Sequence, residues 1–282
     1  MPTTVHVGSI CGIPQTLAKW FHHANISFPD NFSISSRIRK IWKLLHELPK
    51  YDTIHFHYST GLPFGIDLLI WKALGKKIIM HYHGRIRKHG VPILHKLVDK
   101  SFVATPDLLR QAPHATWIPN PLDISEYPFV GVIPHDGPIK IIHCPSNRAI
   151  KGTKYIIQTV DELIADGYNI DLQIVEGKPH DYIIEKMKMS DAVIDQLSCP
   201  WYGMVSIEAM ALGKPVISNI DFDVDVPLEM FPPILPGDRA TLKDSIRELI
   251  NFPESMIRRS KRGREYVEKY HDIRRLNEKY FI

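Results

Sequence analysis

The stretch 191–219, DAVIDQLSCPWYGMVSIEAMALGKPVISN, constrains the fold more than any other part of this chain. Residues 192–197 form a short apolar run carrying Asp195 and Gln196 near its end. That pattern suits a strand buried on both faces of a parallel sheet, with polar groups at its C-terminal end. Cys199-Pro200-Trp201-Tyr202-Gly203 cannot continue a regular element. Residues 205–212 are apolar and rich in helix formers, Gly213 is a helix stop, and 215–218 reads as the next strand. Open α/β sheets repeat this unit and bind ligands where strand ends meet helix starts. Glu208 sits inside that apolar helix. A buried carboxylate without a partner is costly. Glu208 therefore pairs within the protein, accepts hydrogen bonds from a ligand's hydroxyls, or lies on an exposed turn.

The same alternation runs through the rest of the chain. Apolar runs at 4–10, 53–57, 77–81, 98–104 and 115–118 read as strands. Helical patterns lie between them at 15–24, 34–48 and 62–74. Residues 124–137 are rich in Pro and Gly and lack periodicity, which suits a linker. Strands at 139–144 and 171–175 follow, with helices at 154–165, 180–189 and 240–250 and a long basic helical segment at 254–278. Tyr266, Val267, Tyr270 and Ile273 could form the buried stripe of that last segment. These patterns predict two doubly wound α/β domains.

Several turns carry candidate chemistry. Gly12 lies between the first strand and first helix, where a missing side chain lets backbone approach a ligand. Arg148 and Lys151 flank a strand-to-helix turn, which suits an anion: Arg can fork two phosphate oxygens and Lys adds a point charge. A solvated basic turn is the plain alternative. The 34–48 helix places Ile34, Ile38, Ile41, Trp42, Leu45 and Leu48 at helical spacing, with Arg37, Lys40 and Lys43 outside that stripe. It reads as a core helix with a basic face, or as a helix lying on an anionic membrane.

Tyr202-Gly203 followed by Glu208-Ala-Met-Ala-Leu-Gly-Lys-Pro-Val216 resembles the donor-site signature of glycosyltransferase family 4. His81-Tyr82-His83-Gly84, the passage Ile118-Pro119-Asn120 ending in Asp123, and the Arg148–Lys151 turn are similar to elements of the same family. The resemblance implies a GT-B fold, with two facing Rossmann-like domains and a central cleft. It implies an N-terminal acceptor-side domain over 1–128, a donor domain over 129–265, and a final helix over 266–282 packing back on the first domain. It implies a retaining enzyme that moves a sugar from a UDP- or GDP-sugar to a glycan or lipid-linked acceptor, with no metal. Arg148 and Lys151 would hold the diphosphate, and Glu208 the ribose hydroxyls. Backbone N–H groups of Gly203, Met204 and Val205 would assist, Gly12 would face the donor, and His83 would meet the transferred sugar. The family's first glutamate falls on Pro200, so Asp195 or Gln196 becomes the possible sugar contact. A non-catalytic sugar-nucleotide or polyanion-binding protein, or a nucleotide-sugar epimerase or hydrolase, is the alternative.

Composition narrows the setting. The chain has 282 residues, enough for two modest domains, and its net charge of +4 favours anionic partners. Three scattered cysteines without metal-ligand spacing suit reduced thiols. A cytoplasmic location is expected, with possible attachment to the inner membrane face. Asp223-Val-Asp225 has the spacing of a metal-binding pair but lies in a loop away from the phosphate turn. No nucleic-acid motif is present, so no nucleic-acid partner is expected.

Overall fold

Strands joined by helices can pair only in parallel, because the crossover returns the chain to the edge where it started. The computed structural model, which describes residues 3–8, 10–27, 34–58, 60, 62, 65–84 and 94–280, contains two such sheets. They lie in separate units, Met1–Pro121 and Leu122–Ile282.

The first unit runs β1 (Thr4–Val7), α1 (Ile13–Phe21), β2 (Ala24–Ile26), α2 (Ile34–Glu47), β3 (Thr53–His57), α3 (Ile66–Ala73), β4 (Lys77–Tyr82), β5 (Lys100–Val103) and β6 (Thr116–Trp117). All pairs are parallel, in the order β2-β1-β3-β4-β5-β6. Alternation along the strands sends Val5, Val7, Ile54, Phe56, Ile78, Met80 and Tyr82 to one face, packed with Leu44 and Leu48 of α2 and Leu68 and Trp71 of α3. The intervening residues His6, His55, His57 and His81 share the other face and are all buried.

The helix expected at 34–48 is α2, but its described side chains are placed differently from the expected stripe. Leu44 and Leu48 face the core, whereas Ile41, Trp42 and Leu45 are 43%, 55% and 47% exposed. Residues 44 and 48 lie one turn apart on the same edge of the helix, and that edge is the one packed on the sheet. The side chains of Arg37 and Lys40, like residues 85–93, lie outside the described residues.

The second unit runs β7 (Ile139–His143), α4 (Arg148–Lys151), α5 (Thr153–Ala165), β8 (Ile170–Ile174), α6 (His180–Lys188), β9 (Ala192–Ile194), α7 (Met204–Ala211), β10 (Val216–Ser218), β11 (Leu235–Pro236), α8 (Leu242–Asn251), α9 (Pro253–Tyr270) and α10 (Ile273–Tyr280). Its sheet is parallel, in the order β11-β10-β9-β7-β8. Ile141, Ile194 and Ile217 pack with Ile156, Val160 and Leu163 of α5 and Ile246 and Leu249 of α8.

The segment read as a linker, 124–137, is largely fixed on the second unit. Val130 N–H and Gly131 N–H both donate to Leu212 O at 3.0 Å, and Lys214 Nζ donates to Gly131 O at 2.6 Å. The basic C-terminal segment is two helices rather than one. It breaks at His271 and Asp272, where Leu122 N–H donates to His271 O (2.7 Å) and Ile273 N–H donates to Leu122 O (3.0 Å). Among the described residues no helix is long and apolar enough to cross a membrane.

Gly213 closes α7 with φ +77°, and a Cβ there would lie 2.3 Å from Phe129 Cε2 and 3.0 Å from Gly131 Cα. Gly213→Ala should cost about 1–3 kcal/mol for the left-handed backbone alone. Chemical denaturation followed by far-UV circular dichroism should show the lowered stability, and an unchanged midpoint would contradict the packing.

Candidate functional site

In sheets of this kind the strand order reverses at one point, and helices leave the two strands there in opposite directions. Counting each unit from its own first strand, both sheets follow the order 2-1-3-4-5, and the first adds a sixth strand. The reversal lies between β1 and β3 in the first unit and between β7 and β9 in the second. Gly12 lies beyond β1, Arg148 and Lys151 beyond β7, and Asp195 and Gln196 directly after β9, whereas His83 follows β4 and Glu208 lies within α7.

In the second unit, Asp195 follows β9 and has a side chain wholly shielded from solvent. Its Oδ1 accepts from Lys151 Nζ at 2.6 Å, and its Oδ2 accepts from Gly203 N–H at 2.9 Å and Ser206 Oγ at 2.7 Å. Burial opposes the charge on this carboxyl. The Lys151 ammonium, with the hydrogen bonds from Lys151, Ser206 and Gly203, outweighs burial and holds the carboxyl below the usual Asp range. Gln196 Oε1 accepts a second bond from Lys151 Nζ at 3.0 Å, and Gln196 Nε2 donates to Trp201 O. Asp195 and Gln196, expected as possible sugar contacts, are thus the residues that position Lys151. Pro200 lies in the same loop, where its carbonyl accepts Asp221 N–H at 2.8 Å.

The turn between β7 and α5 is built from its own polar residues. Asn147 Oδ1 caps α4, accepting from Ala149 N–H (3.0 Å) and Ile150 N–H (3.1 Å). Those amides are therefore engaged inside the protein. Buried His143 donates from Nδ1 to Ile194 O at 2.8 Å, which leaves Nε2 to accept from the Thr153 hydroxyl at 2.9 Å. Gly152 has φ +77°, and a Cβ there would meet Leu197 at 3.0–3.2 Å, so the turn presses directly on the chain leaving β9. Arg148 is exposed and forks Glu176, with its Nε and Nη2 at 2.8–3.1 Å from the carboxylate oxygens.

Glu208 points from α7 into a third group. Its Oε1 accepts from Tyr127 OH at 3.2 Å and from His180 Nε2 at 2.8 Å. The Glu208 hydrogen bond raises the His180 pKa, against a smaller opposing effect of burial. Oε2 has no hydrogen-bond partner among the described residues. Of the backbone groups expected to assist, Gly203 N–H is taken by Asp195, whereas Met204 and Val205 open α7 half-buried. The structure therefore brings Lys151, Asp195, Gln196 and Gly203 together. Arg148 lies three residues upstream on the same turn, and Glu208 is one helical turn beyond Met204.

In the first unit, Gly12 takes a left-handed φ of +72° before α1, and open space lies where its Cβ would be. His83, just past β4, is half-buried, and its Nε2 lies 3.0 Å from His57 Nδ1. Desolvation lowers its pKa to about 3, only partly offset by the Asn120 side chain, so the ring is neutral near pH 7.

Sequence reading missed Tyr127, His143, His180 and Ser206. Tyr127 and His180 reach Glu208 across 81 and 28 residues of chain, and no local pattern marks either. Ser206 lies eleven residues from Asp195, its partner, within the one stretch that drew attention.

Asp195→Asn would leave the nearly buried Lys151 ammonium without its counter-ion and should cost about 3–5 kcal/mol. Because the Asp195 pKa is depressed, its contribution is present above the ordinary Asp value near ~3.9 and lost as pH falls through the folded value. The variant should therefore show a flatter loss of stability in acid, measured by denaturation between those limits. His180 has the opposite sign. Its contact with Glu208 contributes below about pH 6.5 and is lost as pH rises through the raised folded pKa. Titration by NMR should place His180 above the ordinary His value, and Glu208→Gln should bring it down.

No family model matches the chain, and no curated protein matches its sequence. Solved structures do. Anabaena Alr3699/HepE, in complex with UDP and glucose, is 15% identical with a TM-score of 0.68 over 98% of both chains. An alpha-glucosyltransferase in complex with UDP and a 13-mer DNA is 15% identical with a TM-score of 0.68 over 100% of this chain and 99% of that one. The lipopolysaccharide outer core galactosyltransferase WaaB is 14% identical with a TM-score of 0.63 over 99% of both. At this identity the likeness establishes architecture: the chain has the α/β, two-sheet fold of the GT-B glycosyltransferases.

Proposed function

We propose that the protein transfers a sugar from a nucleotide-diphosphate donor to a glycan or lipid-linked acceptor, with retention of configuration and without a metal at the diphosphate. The observation that carries this reading is Lys151. A cationic side chain is held at the switch point of a parallel sheet by Asp195 and Gln196, beside exposed Arg148. Two of the structural neighbours hold UDP, which makes a uridine donor the first to test.

The chemistry follows from charge. The bond between the sugar's anomeric carbon and the diphosphate oxygen breaks, and its electron pair leaves on the phosphate. An acceptor hydroxyl oxygen forms the new bond, and its proton leaves with the nucleoside diphosphate. Cations placed in advance where negative charge develops lower that barrier. Lys151 needs no reorganisation to do so, because Asp195 and Gln196 already fix it. Arg148 is held only by an exposed, solvent-screened pair with Glu176, which a diphosphate can replace by a better fork. Met204 and Val205 N–H groups at the start of α7 add two donors. Glu208 Oε2 accepts a ribose hydroxyl, while Tyr127 and His180 hold the other oxygen. Neutral His83 is the first unit's hydrogen-bonding group for the sugar, and Gly12 leaves room for ligand beside the first turn.

Pro200 favours a second reading, in which the chain binds a sugar nucleotide without transferring it, because the family's first glutamate is missing. The neighbours' partners include DNA and an acceptor in lipopolysaccharide, so they do not choose an acceptor for this chain. Exposed Ile41, Trp42 and Leu45 on α2 support a membrane surface as the place where a lipid-linked acceptor is met.

A thermal-shift panel of UDP, GDP and their sugars, without added metal, tests the donor site. A ligand at 100 times its dissociation constant should stabilise by about 2.7 kcal/mol. Arg148→Ala should remove most of that response and abolish transfer while leaving the circular dichroism intact. Lys151→Ala should do the same to binding and transfer but also lower stability, because buried Asp195 loses its counter-ion. Full activity in both variants would sink the diphosphate assignment. A UDP response without transfer to any glycan or lipid acceptor would favour the binding reading.

A further inference from the structure

Burying an imidazole is unusual, and burying several on one sheet face requires that their ring nitrogens be satisfied. His6 on β1 lies directly opposite His55 on β3, and His57 follows two residues later on the same face. The three residues are 3%, 1% and 3% exposed. Their rings lie close together, with centroids 4.9 Å (His6–His55), 5.4 Å (His6–His57) and 4.3 Å (His55–His57) apart. One nitrogen from each lies within 4.8 Å of the others.

Two features make this more than a stack of rings. Both nitrogens of His55 are buried without a hydrogen-bond partner among the described residues. A neutral imidazole carries one donor and one acceptor, so this residue leaves both unmet. Next, the outer nitrogens of the other two rings are already held. His6 presents Nδ1 to the cluster, 3.2 Å from His57 Nε2, while its Nε2 lies 3.1 Å from His23 Nδ1. His57 presents Nε2 to the cluster, while its Nδ1 lies 3.0 Å from His83 Nε2. Metal-binding histidines are arranged in this way, with one nitrogen on the ion and the other fixed by a hydrogen bond. The His6–His57 nitrogen separation also approaches the edge of a tetrahedron built on ~2.0 Å metal–nitrogen bonds, about 3.3 Å.

We propose that His6, His55 and His57 form a site for one divalent transition-metal ion of the zinc class, at the switch point of the first sheet. Three imidazoles and no carboxylate select a borderline-soft ion and disfavour calcium or magnesium, which take oxygen ligands. The fourth position is left for water or hydroxide. Half-buried His23 marks the side of the cluster nearest solvent. A second triplet, His57, His81 and His83, shares His57 with the first. The first is preferred because it contains His55. The sequence reading expects no metal in the protein; the reason it gives is the cation pair at the diphosphate, and this site departs from that expectation with different residues in the other unit.

The ion has a consequence for His83, which rests on the proposed transferase reading. Metal on His57 Nε2 leaves the proton on Nδ1, where it is donated to His83 Nε2. The neutral His83 ring then carries its own proton on Nδ1. The metal thereby sets which His83 nitrogen donates.

The test is titration of cobalt(II) into the full chain, free of any affinity tag and stripped with a chelator. One equivalent should bind with the intense visible d–d bands of a tetrahedral site, and zinc should displace it. His6→Gln and His55→Leu should each weaken binding by roughly 100-fold, and His23→Asn, which disturbs only the outer hydrogen bond, by about 10-fold. The exposed His114→Ala control should bind as wild type. Circular dichroism reports whether each variant folds, and His23→Asn keeps the test open if a core variant does not. Absence of cobalt and zinc uptake by the folded wild-type chain would overturn the proposal, as would unchanged uptake by folded His6→Gln or His55→Leu. The UDP thermal shift is read separately, so loss of the metal site and loss of the donor reading are distinguishable.

Discussion

Asp195 ties three pieces of chain together at one buried point. It leaves β9, holds the Lys151 ammonium from the β7–α4 turn, and takes Gly203 N–H and the Ser206 hydroxyl at the start of α7. A carboxylate this deeply buried is stable only when its partners outweigh lost hydration, and here three hydrogen bonds, one of them from a full opposite charge, do so. The consequence reaches beyond stability. Lys151 is the cation of the turn whose position does not depend on ligand, and Gly203 packs closely on the pair: a Cβ there would lie 3.3 Å from Asp195 Oδ2 and 3.6 Å from Lys151 Nζ. Arg148, by contrast, is tethered only to an exposed carboxylate. One cation of the pair is preset and the other is exchangeable.

The two units place polar groups at equivalent topological points but use them differently. In the second, the switch point between β7 and β9 gathers charge. In the first, the switch point between β1 and β3 gathers neutral imidazoles, because strand alternation puts His6, His55 and His57 on one face while Val5, Val7, Ile54 and Phe56 occupy the other. Burial keeps these rings uncharged, and desolvation lowers the His6 pKa to about 3. A layer of uncharged nitrogens on an interior sheet face offers lone pairs and N–H groups rather than positive charge, so it is not an anion site.

Local signals read well where one element decides them. The strand-loop-helix-strand order of 191–219, the glycine stop at 213, the basic turn at 148–151 and α2 are all visible from propensity and periodicity. Signals that depend on two distant segments were not. The strands Ala24–Ile26 and Leu235–Pro236 are too short to show alternation, and exist because a neighbouring strand offers unpaired backbone groups. The break at His271 and Asp272 depends on Leu122, and the partners of Glu208 come from Tyr127 and His180, far away in sequence.

The sequence by itself determined the class of fold and the chemistry available to it. Periodicity sets which segments are strands or helices, and side-chain type sets which groups can carry charge. Only the tertiary structure decided which of those groups are engaged. Asp195 and Gln196 look equally free in the sequence, but packing turns them inward to Lys151. His55 and His57 read as polar interruptions of a strand, but register with His6 makes them a cluster. The physical reason is common to both cases: a buried polar atom must find its partner, and which partner lies within reach is fixed by strand order and register, which no local stretch of chain encodes.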